Sequence, residues 1–458
     1  MENKRVTHTA RLILRLWNTA WFAFIWLRLY NNFVFQTYKV IGALFSILLF
    51  YIIYNWLCSV YKAFRIASTD IGEIAFSQFI SFAAADLLLY IECLLIYNQY
   101  VDILPGATIV VIQLLGTVAI TLFSKRYFMK HVPAQKTIVL YGTEHSYEDT
   151  VNFEQRLMKK YRHLFDILYT EKETIDEEVF LQRLQGVETV IMYDVSGAAR
   201  SRCTTICLEQ LKNFYFTPRI EDILDLGCEP KHLLDTPLMK YEYVYENKRK
   251  QTIKRILDIV FSLFFLILLS PLLLITAIAI KAEDGGPVFY KQKRYTKGGK
   301  VFDILKFRSM IVDAEKNGMI PSTSGDPRIT KVGRIIRSTR MDEVPQFINI
   351  LKGEMSFVGP RPERLETVAL YMKELPEFRY RMSVKGGLTG YAQVFGKYNT
   401  SARDKLLLDM MYIEKQSTLL DFKIALLTIR TVFQKESTEG FSKETSDQMN
   451  KSSQEDKN

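Results

Sequence analysis

The sequence predicts a membrane protein in three parts: an α-helical membrane bundle, a small α/β unit, and an α+β unit with a membrane helix of its own. Three observations carry this. Hydrophobic residues fill 48% of the 458 positions and aromatic residues 13%, a rich content for a soluble chain. Apolar runs of about 20 residues, the length a bilayer crossing needs, are confined to the first 124 positions and to 256–280. Elsewhere the apolar spacing switches between strand-like and helix-like periods.

The runs at 12–36, 40–61, 74–98 and 104–124 predict four spanning helices, a bundle over residues 1–130. The basic start (Lys4, Arg5, Arg11) has no small-residue cleavage site and further apolar spans follow it, so the first run reads as an anchor rather than a signal peptide. Lys and Arg gather at the N-terminus, at Lys62 and Arg65, and at Lys125, Arg126 and Lys130, while the loops at 31–38 and 99–103 carry almost none. The positive-inside rule then places both ends of the bundle in the cytoplasm. Arg15, Arg28, Asp86 and Glu92 lie within spans. Intramembrane charge can mark a conduction path, but packing within the bundle and snorkelling at its ends explain these residues more simply.

Residues 131–246 alternate strands with helices, which implies a parallel sheet. The strand patterns are Lys136–Gly142, Phe165–Thr170, Val187–Asp194 and Phe214–Phe216, with helical stretches near 150–163 and 198–213. The unit is Rossmann-like but degenerate: Gly142 is followed by Thr-Glu-His-Ser, so the glycine fingerprint of a dinucleotide site is missing. A scaffold or regulatory role is expected. Cys203 and Cys207 stand four apart without a nearby His or acidic partner and read as core residues.

A third domain is expected over 247–435, followed by a polar Ser/Lys/Glu-rich tail at 436–458 with the composition of disordered chain. It opens on a basic run, NKRKQTIKR, read as a linker, and on the apolar segment 256–280. As a fifth span this segment would carry Lys281, Lys291, Lys293 and Arg294 to the outer face, against the positive-inside bias. Ser270-Pro271 stands in its middle, and proline removes a backbone hydrogen bond. A re-entrant helix at 254–281, broken at Ser270 and Pro271, satisfies both facts.

All five histidines and all five cysteines precede residue 233. Chemistry in the third domain must therefore use carboxylates, Lys, Arg and hydroxyls. Gly285–Met310 alternates apolar and basic residues like two strands; its basic surface suits an anionic membrane face or phosphate recognition. Asp342-Glu343 follows five basic residues (Arg328, Lys331, Arg334, Arg337, Arg340), a setting that favours ionised carboxylates serving as metal ligands or as a nucleophile. The turn Val358–Pro362 fixes Arg361 between two prolines, which suits a preorganised phosphate clamp. The net charge of +10 fits nucleic acid, an anionic membrane face or phosphorylated substrates.

Residues from about 252 to 433 resemble the bacterial polyprenyl-phosphate glycosyl-1-phosphate transferases, the monotopic phosphoglycosyl transferase family. The resemblance rests on ordered blocks: KRILD (Lys254–Asp258), Ser270-Pro271, GPVFYKQKR (Gly286–Arg294), KFRSM (Lys306–Met310), DPRIT (Asp326–Thr330), MDEVPQ (Met341–Gln346), KGEMSFVGPRPE (Lys352–Glu363), GGLTGYAQV (Gly386–Val394) and LLDFKI (Leu419–Ile424). A helical bundle and a degenerate α/β domain ahead of these blocks resemble the family's large members. The resemblance implies Asp342 as nucleophile with Glu343 as partner, Mg²⁺ at this pair, and Lys306, Arg308, Arg340 and Arg361 as phosphate-binding residues. It also implies a monotopic catalytic domain on the cytoplasmic face of the bacterial inner membrane. The implied reaction is UDP-sugar plus undecaprenyl phosphate giving undecaprenyl-diphospho-sugar and UMP, the first membrane step of capsule or exopolysaccharide synthesis. A non-catalytic membrane scaffold and a transferase that moves the sugar alone, releasing UDP, are the rivals. No nucleic-acid partner is expected, and a homo-oligomer is compatible with the sequence. The usual Lys-Pro-Gly is Lys385-Gly386-Gly387 here, and Phe395 replaces a usual Asn; both bear on sugar identity.

Overall fold

The structure, a computed structural model, describes residues 4–30, 39–143, 147–233, 235–241, 248–312, 314, 326–396 and 400–432. The tail at 436–458, the loop at 31–38 and the linker residues 242–247 lie outside these. Contacts divide the chain into two compact units, Met1–Thr217 and Pro218–Asn458.

The first unit begins with α1 (Lys4–Ile25, continued by a π-helical turn at Trp26–Tyr30), α2 (Lys39–Val60), α3 (Ile71–Tyr97) and α4 (Leu104–His131). The last three are long and apolar enough to cross a membrane; the fourth helix of that kind is at Lys248–Asp284. Over its described residues helix α1 is not among them, since Lys4, Arg5, Arg11 and Arg15 dilute its apolar content; the expected span, 12–36, runs on into residues outside those described. Buried polar groups tie it to the bundle. Asn18 Nδ2 donates to the Tyr54 hydroxyl (3.0 Å) and to Thr117 (3.3 Å), Gln113 donates to the Asn18 carbonyl (3.0 Å), and Tyr54 donates to Gln78 (2.6 Å). Such bonds replace those that water would supply elsewhere. The Arg15 guanidinium lies 4.9 Å from the centre of the Phe64 ring, a packing contact.

The rest of this unit is β1 (Gln135–Tyr141), α5 (Tyr147–Tyr161), β2 (Phe165–Lys172), α6 (Glu177–Leu184), β3 (Thr189–Tyr193), α7 (Gly197–Glu209) and β4 (Asn213–Phe216). The four strands are parallel in the order β2-β1-β3-β4. Ile138, Leu140, Val190 and Met192 form its core with Phe180, Leu184 and Ile206, and Cys203 and Cys207 lie in that core as expected.

One carboxylate explains how this sheet manages without a glycine-rich loop. Strand order reverses between β1 and β3, the place where parallel sheets take anions beside helix N-termini. Glu173, 6% exposed, fills it. One oxygen accepts from the Thr143 amide (3.1 Å) and hydroxyl (2.8 Å), the other from the amide of Ser196 (2.5 Å), the residue that caps α7. Burial raises the Glu173 carboxyl, but these donors outweigh it and hold it down at about 2. A depressed carboxyl contributes stability above its unfolded value, near 4.5, and loses it as pH falls toward 2. Glu173→Gln should therefore destabilise the α/β unit by roughly 2 kcal/mol at pH 7, a gap that closes toward pH 2. Hydrogen exchange of the β1 and β3 peptides in urea measures it. An equal gap at pH 7 and pH 3 would exclude a charge effect.

The second unit starts earlier than the expected boundary at 246. It opens with α8 (Ile220–Leu224), β5 (Cys228–Leu233) and β6 (Thr236–Tyr241). Ile223 is buried against Phe378, Leu406 and Met410, and Tyr241 donates to Glu414 (3.1 Å), so this stretch finds its apolar partners here. Next comes α9 (Lys248–Asp284), which absorbs the expected basic linker from Lys248 as its first turns. Two residues of that run face inward. Lys254 donates to the Val358 carbonyl (2.9 Å) and Asp421 (2.6 Å), and Arg255 donates to the carbonyls of Ile350 (2.5 Å) and Leu351 (2.6 Å).

Helix α9 continues through Pro271 rather than ending there. Proline at 271 cannot donate to the Ile267 carbonyl; the Ser270 hydroxyl donates to it instead, at 2.8 Å. The expected break is one backbone bond replaced by a side-chain bond. One face of α9 follows the unit: Phe265 and Leu266 pack with Phe302, Phe347 and Ile350, and Leu273, Ala277 and Ile280 pack with Phe307 and Ile336. Ile256, Phe264, Ile267, Leu274 and Ile278 are exposed.

The remaining elements are the antiparallel pair β7 (Phe289–Tyr295) and β8 (Val301–Phe307), then α10 (Lys331–Ser338), α11 (Gln346–Lys352), β9 (Ser356–Val358), α12 (Leu365–Glu374), β10 (Gly387–Thr389), α13 (Tyr391–Phe395), α14 (Ala402–Glu414) and α15 (Thr418–Val432). Strands β9 and β10 pair in parallel. A Cβ on Gly387 would stand 2.1 Å from the Gly359 amide nitrogen, so the two strands meet only with glycine there.

Candidate active site

The dyad sits in a 3-10 turn, Met341–Glu343, between α10 and α11. Arg340, just before it, has left-handed backbone (φ 59°), a conformation uncommon outside glycine. Pro345 caps α11 and sets the exit of the turn. The sequence thus forces a sharp corner where two carboxylates follow one another.

Three distant segments meet at Glu343. Lys306 of β8 donates to Glu343 Oε1 at 2.8 Å, and Arg361 donates to the same oxygen at 2.9 Å. Asn349 of α11 holds β8 in register beside them: its side chain accepts from the Leu305 amide (2.9 Å) and donates to the Asp303 carbonyl (2.8 Å). The carboxylate of Asp342 accepts no hydrogen bond from the described residues, and Lys306, Arg337 and Arg340 act on it through their charge.

The two carboxylates do not share one electrostatic setting, although the basic run suggests that both are equally favoured as ions. Burial would raise Glu343, yet Lys306 and Arg361 overcome burial and hold its carboxyl well below the usual range. Burial and the adjacent Glu343 charge raise Asp342, opposed by Lys306, Arg337 and Arg340. Environments that push a carboxyl pair apart in this way give the two members different roles: Glu343 is a fixed anion locked between cations, and Asp342 is the carboxylate with a free edge.

Of the residues singled out from the sequence, Lys306, Arg361, Asp342 and Glu343 come together, with Arg340 leading into the turn. Arg308 does not join them. Its guanidinium is buried and paired with Asp284 at the end of α9 (Nη1 at 2.8 Å from Oδ2). Ser270 and Pro271 lie in the middle of α9. Gly386 packs against Pro362 of the Arg361 turn, where a Cβ would stand 2.5 Å from the proline ring, and the Phe395 ring lies tilted against Tyr391 with ring centres 4.5 Å apart.

Sequence reasoning missed the supports. Arg294 and Arg381 bond the backbone of the Arg361 turn, and Arg381 pairs with Asp409 of α14 at 2.6 Å. Alternation offered one signal, since Arg294 shares the inward face of β7 with Tyr290 and Gln292. Asp409 offered another, as the lone charge in the apolar run LLLDMMYI.

The fold and site define a membrane-associated α+β protein in which a turn sets a carboxylate pair among cations, within a unit that also carries one long apolar helix. Comparison with known proteins places it further. Residues 249–435 match the family described as bacterial sugar transferase. A UDP-N-acetylgalactosamine-undecaprenyl-phosphate N-acetylgalactosaminephosphotransferase of Aeromonas hydrophila is 41% identical over 208 residues, 43% of this chain and 49% of that protein. A UDP-glucose:undecaprenyl-phosphate glucose-1-phosphate transferase of Klebsiella pneumoniae is 34% identical over 289 residues, 62% of this chain and 60% of that one. Its namesake in Caulobacter vibrioides is 40% identical over 181 residues, which cover 38% of this chain and 68% of the relative. The chain belongs to the bacterial sugar transferase family, as its motif blocks indicate. It spans half to three fifths of the length of the Aeromonas and Klebsiella proteins.

Proposed function

We propose that the protein transfers a sugar-1-phosphate from a UDP-sugar to undecaprenyl phosphate, giving undecaprenyl-diphospho-sugar and UMP, in capsular or exopolysaccharide synthesis. The observation that carries this reading is the division of labour in the dyad. Lys306 and Arg361 occupy one oxygen of Glu343, while Asp342 keeps its carboxylate free in the same cationic setting. The names of the relatives support the substrates.

In this mechanism an Asp342 oxygen attacks the β-phosphorus of the UDP-sugar. The bond from that phosphorus to the bridging oxygen breaks and UMP departs with the electron pair, leaving the sugar-phosphate on Asp342. A phosphate oxygen of the lipid then attacks the same phosphorus and frees the carboxylate. Splitting one displacement into two is the usual gain of a covalent nucleophile. Glu343 holds Lys306 and Arg361 beside the reacting phosphate, where their charge opposes that developing on its oxygens.

Among the described residues no group of three or more His, Cys, Asp or Glu forms a cage for a metal. The donors at the dyad still fit Mg²⁺, which is commonly held by one or two carboxylates and completed by substrate phosphates. Asp342 and the second oxygen of Glu343 would hold it, and it would neutralise phosphate charge.

The nucleotide product tests the reaction. Full-length protein in membranes, given a panel of UDP-sugars and undecaprenyl phosphate, should release UMP. Release of UDP would mean that the sugar moves alone, and release of neither would favour a scaffold.

For the membrane arrangement, the reading is a catalytic unit on the cytoplasmic face of the inner membrane, with α9 re-entering one leaflet. Both ends of α9 support it. Lys254 and Arg255 bond one side of the unit, and Asp284 and Glu283 bond Arg308 and the Lys331 amide. A crossing would carry these charged contacts through lipid, which costs several kcal/mol. Thiols introduced by Arg249→Cys and Ala282→Cys should both be labelled from the cytoplasmic side; labelling from opposite sides would establish a span.

A further inference from the structure

Proline lacks an N–H, so between Pro360 and Pro362 only Arg361 has an amide to donate. A turn of this kind must be held by its carbonyls. Three consecutive carbonyls are held in that way: the Gly387 amide donates to that of Pro360 at 2.8 Å, and guanidiniums hold the next two. Arg381 Nη2 donates to the Arg361 carbonyl at 3.1 Å, and Arg294 Nη1 donates to the Pro362 carbonyl at 3.0 Å. Both donors are themselves fixed. Arg294, 9% exposed, uses its other amino group on Gln292 (2.6 Å), and its backbone bridges to Arg364 just past the turn. Arg381, 6% exposed, gives its Nε to Asp409, which is fully buried (2.6 Å).

Burying two guanidiniums beside Arg361 is an expensive way to hold a turn if packing were the only need, even with Asp409 and Glu363 as counter-charges. Burial, with Arg361 adding to it and Glu363 opposing it, lowers Arg294 to about 10, which reflects the remaining cost. What the turn carries is Arg361, whose Nη2 reaches Glu343 at 2.9 Å. The guanidinium contacts fall on Arg361 itself and on its successor, so they fix the origin of the side chain that completes the dyad.

We propose that Arg294 and Arg381 are positioning residues that hold the Pro-Arg-Pro turn by its carbonyls and so direct Arg361 onto Glu343. The proposal rests on the reaction above and names the parts that align it.

A double-variant cycle tests it on the full-length protein, read as UMP release and as unfolding free energy. Arg361→Gln should lower kcat on the order of 100-fold, and Arg294→Gln by about 10- to 30-fold with a smaller change in KM. If Arg294 acts through Arg361, the double variant will be no slower than Arg361→Gln within about twofold, and its stability loss will be less than the sum of the two. Arg294→Lys keeps the charge and one donor and should recover about half of the lost rate on a logarithmic scale. If Arg294→Gln does not fold, Arg294→Lys enters the cycle, and its deficit should vanish in the Arg361→Gln background. Rate losses that multiply in an active protein overturn the clamp and leave the reaction standing. A wild-type chain silent with every UDP-sugar overturns the reaction, and the stability cycle then decides the clamp: additive losses reject it, sub-additive losses support it.

Discussion

Asp342→Asn will lower steady-state release of UMP by on the order of 10⁴-fold or more, the scale of losing a nucleophile. Asparagine preserves the size of the side chain and the corner made by Arg340 and Pro345, so the fold should survive; what disappears is the anionic oxygen. Loss of rate alone does not separate a nucleophile from a residue that merely holds the substrate's counter-ion. Incubation of the wild type with UDP-sugar and Mg²⁺, without lipid, does separate them. The covalent route releases up to one UMP per site and adds a sugar-phosphate mass to the peptide containing Asp342. Absence of both burst and adduct, in protein that turns over once lipid is supplied, would reject covalent catalysis.

Lys306→Ala is expected to have the second largest effect, with rate and stability parting company. Its ammonium sits 2.8 Å from a carboxylate that is only 13% exposed. Removing one partner of such a pair leaves a buried charge short of compensation, a loss of about 3 kcal/mol. The rate of UMP release should fall by roughly 10²- to 10³-fold as phosphate charge loses a donor. Adding Glu343→Gln removes the stranded charge, so the double variant should recover most of the stability and none of the rate. Thermal unfolding of the catalytic unit and UMP release, measured on the same preparations, make the comparison. A double variant as unstable as Lys306→Ala would show that the ion pair is not what stabilises this corner.

The sequence made some of this legible and hid the rest for physical reasons. The central strands β1 and β3 of the α/β unit were readable because parallel strands buried on both faces become continuous apolar runs, and β7 and β8 because one face alternates. Elimination left carboxylates among the candidates, since neither His nor Cys follows residue 232, and the motif blocks singled out Asp342 and Glu343, which the structure brings together with Lys306 and Arg361. The start of the second unit was hidden: Ile223 looks like any apolar residue until Phe378 and Leu406 are seen to cover it. What holds α1 in the bundle was hidden, because hydropathy does not show that Asn18 bonds Tyr54 and Thr117. Arg308 had the motif position of a phosphate contact, but its partner, Asp284, lies 24 residues away at the end of another element. Lys254 and Arg255 read as part of a linker because their acceptors lie about 95 or more residues away.

Glu173 has a consequence for how the α/β unit relates to the cell around it. A ligand raises the stability of a fold by mass action only where its docking groups are vacant in the folded state. At the carboxyl edge of this sheet the Thr143 and Ser196 donors are already taken, by a group that arrives with the chain and cannot be diluted. The unit therefore needs no anion from solution at this edge, and its stability should not track one that would dock there. The effective concentration of its anion is set by a covalent tether instead of by metabolism.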